Sequence, residues 1–244
     1  MIDAHCHLDL YPNPNGLIHE ARAARVTMIA VTNLPSHYRQ AIEHVHGYNH
    51  IKLALGMHPL LAKQHRREQS LFIDLVSNAS FIGAIGLDFS RDGFSTKPQQ
   101  TETLRLIFER IQDRPRIISL HSRRAEQEVV EHTIMAGFAR TSILHWYTGS
   151  ISTLRDALAA GLSFSVNPAM IISPTGRKTI EQIPKDRILS ESDGPHIMLD
   201  NRVAMPWDVS AVQIHLAQVW NQSVADVERQ LHANLRSLLD RVRV

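Results

Sequence analysis

The sequence predicts an α/β chain of the (β/α)8 TIM-type barrel class, and three observations predict it. Short runs rich in β-branched and aliphatic residues recur eight times. Stretches with helical spacing of apolar residues separate them, and no glycine-rich phosphate turn follows an early strand. Alternation of the two kinds of element implies parallel strands joined by right-handed crossovers, and eight such units close into a barrel. An open doubly wound sheet is the rival. It would bring G-x-G-x-x-G or a P-loop after its first strands, and neither occurs.

The expected strands are residues 2–7, 26–32, 51–56, 81–87, 116–121, 141–146, 162–167 and 187–191. Helical spacing is plain over 99–111, 126–135 and 151–160, and again over 209–220 and 224–241, which would wrap the closing barrel. Gly137, Gly161 and Pro184 stand where helices should stop. No Ser/Gly linker, charge block, repeat or low-complexity tract divides the chain, so residues 1–244 are expected to form one domain.

Composition narrows the class. Apolar residues make up 43% and charged residues 20%, which excludes a disordered chain. No run of about 20 apolar residues exists, so no membrane span is expected. The opening Met-Ile-Asp-Ala-His lacks the basic and apolar regions of a secretory leader. Cys6 is the single cysteine, so no intramolecular disulfide is possible and a cytoplasmic setting is expected. The net charge of +2 neither requires nor excludes nucleic acid. The unusual count is 15 histidines.

Along a strand, side chains alternate faces, so Asp3, His5, His7 and Asp9 share one face as far as the strand continues. Catalytic groups of barrels gather at the C-terminal ends of the strands. The pair His5-x-His7 is a weak signal alone, since two polar residues at a strand end need no metal. Further candidates follow other strands: His58 after the third, His121 at the end of the fifth, His145 at the end of the sixth, and Asp193 after the eighth. Imidazole and carboxylate side chains converging on one mouth suit zinc, manganese, iron or nickel, and the residue types do not choose among them.

With these motifs in order, the chain resembles the TatD family of metal-dependent deoxyribonucleases, within the amidohydrolase-like barrels. The resemblance runs from Ile2 to about Pro195. It rests on Asp3-x-His5-x-His7-Leu8, Gly56-x-His58-Pro59, Ile85-Gly86-Leu87-Asp88, His121-Ser122-Arg123, His145-x-x-x-Gly149 and Glu191-x-Asp193-x-Pro195. The stretches His5-Cys6-His7-Leu8-Asp9-Leu10-Tyr11-Pro12, Ile143-Leu144-His145-Trp146 and Asn167-Pro168-Ala169-Met170 are most similar to the QatD branch of Qat antiphage defence systems. The resemblance implies two adjacent divalent metals (magnesium, manganese, zinc, iron or nickel). One would be held by His5, His7 and Asp193, the other by His121 and His145. Asp193 would also take part in catalysis, and His58 and Arg123 would touch substrate. It further implies a DNA substrate, single-stranded or with exposed ends, and partner proteins of a Qat system.

One position departs from the pattern. The family places a metal-bridging glutamate on the fourth strand, where this chain reads Gly83-Ala84-Ile85-Gly86. A bridging carboxylate puts negative charge between two cations and holds them about 3.5–4 Å apart. Alanine offers no ligand. Three readings stand: an engineered inactivation, a natural site with one metal on His5, His7 and Asp193, or a degenerate, non-catalytic member. The intact remainder of the motif set favours the first.

Other residues carry less. Asp88 is read as a loop-capping residue rather than a substitute ligand. Glu191 is either a support for a ligand or half of a buried ion pair. His19, His37, His44, His46, His50, His65, His132, His215 and His232 default to the surface, and Cys6 to the core. Arg123 could grip a phosphate with both its guanidinium nitrogens, whereas His65-Arg66-Arg67 and Arg177-Lys178 read as solvated faces. Tyr11, Trp146 and Tyr147 either stack on a base or pack at the rim, and the connection 195–208 with Trp207 would wall the cleft. The expected activity is phosphodiester hydrolysis by a single-strand-preferring exonuclease. The alternatives are an amide- or lactone-hydrolysing barrel and a non-catalytic binding subunit.

Overall fold

In a computed structural model describing residues 1–242, the eight expected strands form one parallel sheet in sequence order. They are β1 (Ile2–Cys6), β2 (Thr27–Val31), β3 (Ile51–Leu55), β4 (Phe81–Gly86), β5 (Ile117–His121), β6 (Ser142–His145), β7 (Ser163–Val166) and β8 (Ile188–Ser190). Every residue of β1, β4, β6, β7 and β8 is buried, the signature of parallel strands covered on both faces. The barrel closes between β8 and β1. Ser190 Oγ donates to Ile2 O (2.6 Å), Asp193 N to His5 O (3.0 Å) and His7 N to Gly194 O (2.9 Å).

Helices α1 (Pro14–Ala23), α2 (Pro35–Val45), α3 (Ala62–Val76), α4 (Lys97–Arg110), α5 (Glu126–Met135) and α6 (Ile151–Ala160) alternate with the strands. The short α7 (Pro168–Ile172) and α8 (Pro174–Glu181) follow β7, and α9 (Val209–Trp220) and α10 (Val224–Asp240) follow β8. Proline opens α1, α2, α7 and α8, where its missing N–H costs nothing. Ser150 Oγ caps α6 by accepting from Thr153 N, and Gly161 ends it in the left-handed region. The barrel core is aliphatic, with Phe164 packed edge-on against the Tyr147 ring at 5.6 Å. Truncating such a buried phenylalanine to alanine costs about 3–5 kcal/mol.

The expected strands outrun the observed ones at their C-terminal ends. His7, Gly56, Leu87, Trp146, Asn167 and Glu191 lie just past the ladders, where the chain turns outward over the mouth. Register shifts fall between Asp3 and Cys6 on β1 and between Ile82 and Ile85 on β4. Such irregularities re-aim side chains beside functional sites. Two glycines permit the crowding there. A Cβ on Gly56 would stand 1.7 Å from Thr32 O, and one on Gly86 (φ +132°) would stand 2.0 Å from His121 O. Among the described residues, no helix is long and apolar enough to cross a membrane.

Candidate metal centre

β1 delivers His5 to the barrel mouth, and the turn after it delivers His7. Their Nε2 atoms lie 3.3 Å apart. Asp193, just past β8, places Oδ1 at 3.8 Å from His5 Nε2 and 3.7 Å from His7 Nε2. Ligand atoms around a four-coordinate ion at about 2.1 Å lie about 3.4 Å apart. These three atoms therefore already approximate a coordination triangle. Asp193 Oδ1 is buried and has no hydrogen-bond partner. An orphaned carboxylate oxygen between two imidazole nitrogens is costly unless a cation completes it, so the residues present fit a divalent metal.

Two more histidines, His145 and His121, adjoin this triangle. The ligand atoms of His5, His145 and Asp193 all lie within 4.8 Å of one another. His145 stacks on His5, ring centroids 3.8 Å apart, and its Nε2 lies 3.1 Å from His121 Nδ1. Burial, then the neighbouring imidazoles, holds His5 and His58 well below the ordinary histidine range. His7 is lowered in the same way. These rings are neutral, the form that binds metal. Burial opposes charge on His145 too, but Glu191 and Asp193 outweigh it and raise its pKa. Burial pushes Asp193 up to about 7 in the absence of a cation, against the pull of His145.

Buried polar groups hold the ring planes. Ser119 Oγ lies 2.7 Å from His5 Nδ1. Glu191 accepts from Trp146 N (3.0 Å), from Asn167 Nδ2 (3.0 Å) and from Ser165 Oγ, and approaches His145 Nδ1 at 3.8 Å. Glu191 thus behaves as a support for the site, one of the two roles its sequence position left open. Asp3 accepts from His5 N, Ser192 N and Ser192 Oγ, which ties β1 to the turn carrying Asp193. Trp146 (φ +40°) and Asp193 (φ +46°) sit in the left-handed region that non-glycine residues seldom occupy. Each is pinned by its backbone N–H, on Glu191 and on His5 O respectively.

A cleft of about 410 Å³ opens over these residues, lined by His7, His58, Asp88, His121, Arg123, His145, Trp146, Asp193 and His196 among others. The histidines, Asp193 and Arg123 singled out in the sequence thus converge on one mouth. Ala84 lies buried in β4 and offers no ligand; its N donates to Thr32 O and its O accepts from Met57 N.

Several expectations need correction. Asp88 does cap its loop, accepting from Ser90 N (2.9 Å), but its second oxygen lies 2.8 Å from His121 Nε2. The strand does not persist to Asp9, whose carboxylate instead meets His37 Nδ1 at 3.1 Å. His65 is buried, not exposed. Its Nε2 contacts His58 O and its Nδ1 contacts Thr103 Oγ1, both at 3.0 Å. Tyr11 and Tyr147 are buried rim residues, and only Trp146 of the three aromatics lines the cleft. Trp207 packs toward the cluster containing Tyr11, and His196 supplies the connection's contact with the cleft. His196 was missed in the sequence. Its only signal is its place three residues past Asp193, and the ring stands 4.7 Å from His7.

The family model for TatD related DNase matches residues 2–240. The chain belongs to this family. Human deoxyribonuclease TATDN3 is 27% identical over 100% of this chain and 96% of its own. The YjjV protein of Escherichia coli K12, described as an uncharacterized metal-dependent hydrolase, is 26% identical over 84% of this chain and 83% of its own. Its crystal structure superposes with a TM-score of 0.85 at 22% identity, covering 98% of this chain and 97% of YjjV. That likeness supports the barrel of the metal-dependent hydrolase kind. A 3′-5′ ssDNA/RNA exonuclease TatD from Erwinia amylovora is 26% identical over 75% of this chain and 73% of its own. The chain is thus a TatD-family hydrolase by sequence and fold.

Proposed function

We propose that this protein is a metal-dependent nuclease that hydrolyses DNA phosphodiester bonds from single-stranded ends. One observation carries the reading: His5, His7 and the orphaned Asp193 Oδ1 form a ligand triangle at the foot of a cleft that Arg123 and His58 also line. A divalent ion held there would polarise a phosphoryl oxygen and lower the pKa of a water. Asp193 would hold that ion together with His5 and His7, and its carboxylate would be the nearest group to take up a proton from water there. Arg123 and His58 orient the phosphate. The cleft, about 410 Å³, is of a size to take one nucleotide group. The names of the human and Erwinia relatives support the same substrate class.

Ala84 supports a second reading, in which the chain binds its target without cleaving it, as an impaired or inactivated nuclease. The segments similar to QatD support a cytoplasmic role in antiphage defence beside partner proteins of a Qat system. The experiment is digestion of 5′- and 3′-labelled single strands and blunt duplexes, beside a panel of amides and lactones, with and without Mn²⁺ or Zn²⁺. Metal-dependent shortening from one end of the single strand is expected, and it should vanish in His5→Ala and His7→Ala. Cleavage of an amide or lactone but not DNA would overturn the nuclease reading. Tight DNA binding without cleavage would establish the binding role.

A further inference from the structure

We infer that the substrate strand does not end at the cleft: the nucleotides beyond the reacting phosphate cross a platform made by Phe94 and Lys97 and continue into a basic groove between α3 and α4. This rests on the nuclease reading above and names where the rest of a single strand lies.

The platform begins one residue from the cleft. Asp88 lines the cleft, and the N–H of the next residue, Phe89, donates to Arg123 O (2.9 Å). Lys97 Nζ stands 4.3 Å from the Phe89 ring centroid and 4.2 Å from that of Phe94. Phe94 is nonetheless 62% exposed, a large apolar ring turned to solvent. Its loop is not loose. The buried Gln100 accepts from Asp88 N (2.8 Å) and donates to Gly93 O (2.8 Å) and Thr96 Oγ1 (2.9 Å), and Phe94 N donates to Ser90 O (2.9 Å). A fixed loop that holds an open ring beside a cation offers a face for a base and a charge for its phosphate.

The groove takes over from Lys97. It measures about 1310 Å³ against about 410 Å³ for the cleft, so it has room for a longer piece of chain. Its walls start at the mouth, because α3 opens four residues after His58 and α4 opens at Lys97 itself. Lys63, Arg66 and Lys97 line that end, Arg105 lies further along α4, and Glu102 and Glu109 are the carboxylates of the groove. Among the described residues, ion pairs engage Arg116, Arg187, Arg202 and Arg229 but none of these four cations.

The helix ends add to this. Neither α3 nor α4 has an acidic residue in its first turn or a side-chain cap, yet each carries a lysine there. A cation at a helix N-terminus opposes the dipole, and a bound anion relieves the conflict. Free cations along a groove with an aromatic ring at its entrance hold a single strand without reading its sequence. Continuity with the cleft makes the substrate strand the occupant.

The test is fluorescence anisotropy of labelled trithymidylate and dodecathymidylate on the full chain, in EDTA to prevent cleavage and over a range of salt. The dodecamer should bind about tenfold or more tighter than the trimer, because only it reaches past the cleft. Phe94→Ala should remove about tenfold of that advantage. Lys63→Gln combined with Arg66→Gln should flatten the log–log salt dependence of dodecamer binding by about 1.4, at about 0.7 for each lost phosphate contact. The same loss of charge in Arg177→Gln with Lys178→Gln should leave that slope unchanged. An unchanged advantage in Phe94→Ala, or an unchanged slope in the Lys63 and Arg66 variant, would overturn the inference. Equal affinity for the two oligomers in the unmodified chain would also overturn it and leave the groove to an acidic protein segment. Binding here needs neither metal nor cleavage, so a lack of Mn²⁺-dependent digestion would strike the nuclease reading while the path of the strand is still read from these ratios.

Discussion

Ser119 Oγ lies 2.7 Å from Nδ1 of His5, while Nε2 of the same ring faces His7 and Asp193. With Nε2 as the ligand atom, Nδ1 carries the proton and donates it to the hydroxyl. The bond selects the tautomer and fixes the ring plane. Groups of this kind typically tune metal affinity by about 10–100-fold. Ser119→Ala should therefore weaken metal retention by that factor in competitive dialysis, with the thermal midpoint of the metal-free protein nearly unchanged. Affinity equal to that of the unmodified protein would show that packing alone orients His5.

Arg123 follows β5 by two residues, and its carbonyl accepts from Phe89 N at 2.9 Å, so the backbone that projects its side chain is held. The side chain lines the cleft beside His121. Hydrogen bonds to charged groups contribute about 1.5–3 kcal/mol, roughly a ten- to hundredfold change in affinity. Arg123→Ala should raise KM for single-stranded DNA by that factor and leave metal binding at His5, His7 and Asp193 unchanged. Arg123→Lys keeps the charge but loses the planar fork, so it should recover only part of the loss. A KM unchanged in both variants would remove Arg123 from the phosphate site.

The barrel was legible because a parallel strand buried on both faces must be written as an apolar run, and eight such runs alternate with helical spacing. The converging ligands were legible for a related reason. Imidazoles and carboxylates at strand ends are conspicuous against aliphatic cores, and all strand ends of a barrel share one mouth. What stayed hidden depends on side-chain reach across elements. Asp88 and His121 are 33 residues apart, and nothing in the local pattern shows that one carboxylate oxygen caps a loop while the other meets a ring. His65 looked like part of a basic helical face. Its burial arises from contacts with the third strand end and with α4, which helical spacing does not encode. His196 sits in an irregular connection with no period to read.

At the opposite end of the barrel, Arg116 is fully buried. Its guanidinium donates to Val76 O, Ala79 O, Ile111 O and Arg114 O, and to Asp113 Oδ1 at 2.6 Å. Val76 and Ile111 stand at the C-terminal ends of α3 and α4, so the cation satisfies orphan carbonyls where helix dipoles favour positive charge. Removing one member of such a buried network costs about 3–5 kcal/mol. For a chain of this size each kcal/mol shifts the thermal midpoint by about 2–4 °C. Arg116→Met should thus unfold roughly 6–20 °C lower by circular dichroism, with metal stoichiometry intact at 25 °C. A shift within about 2 °C would show that water satisfies these carbonyls equally well.

His65 gives the protein a specific weakness in acid. Burial lowers its pKa to about 4, against the opposing pull of His58 O and of Glu68. The unfolded chain protonates this ring near pH 6.5, whereas the folded one resists until about 4. Between those values the unfolded state binds more protons, so stability falls as pH drops through that window. The slope is about 1.4 kcal/mol per pH unit, on the order of 3 kcal/mol in total. Glutamine at this position keeps a donor for His58 O and an acceptor for Thr103 without a titrating group. In His65→Gln, urea unfolding at pH 7, 6, 5 and 4.5 should show a stability profile shallower by about one proton in the acid range. The other buried histidines contribute equally to both proteins and cancel in the difference. Parallel profiles would mean that His65 takes up its proton over the same pH range in the folded and unfolded states, so that its burial does not lower its pKa.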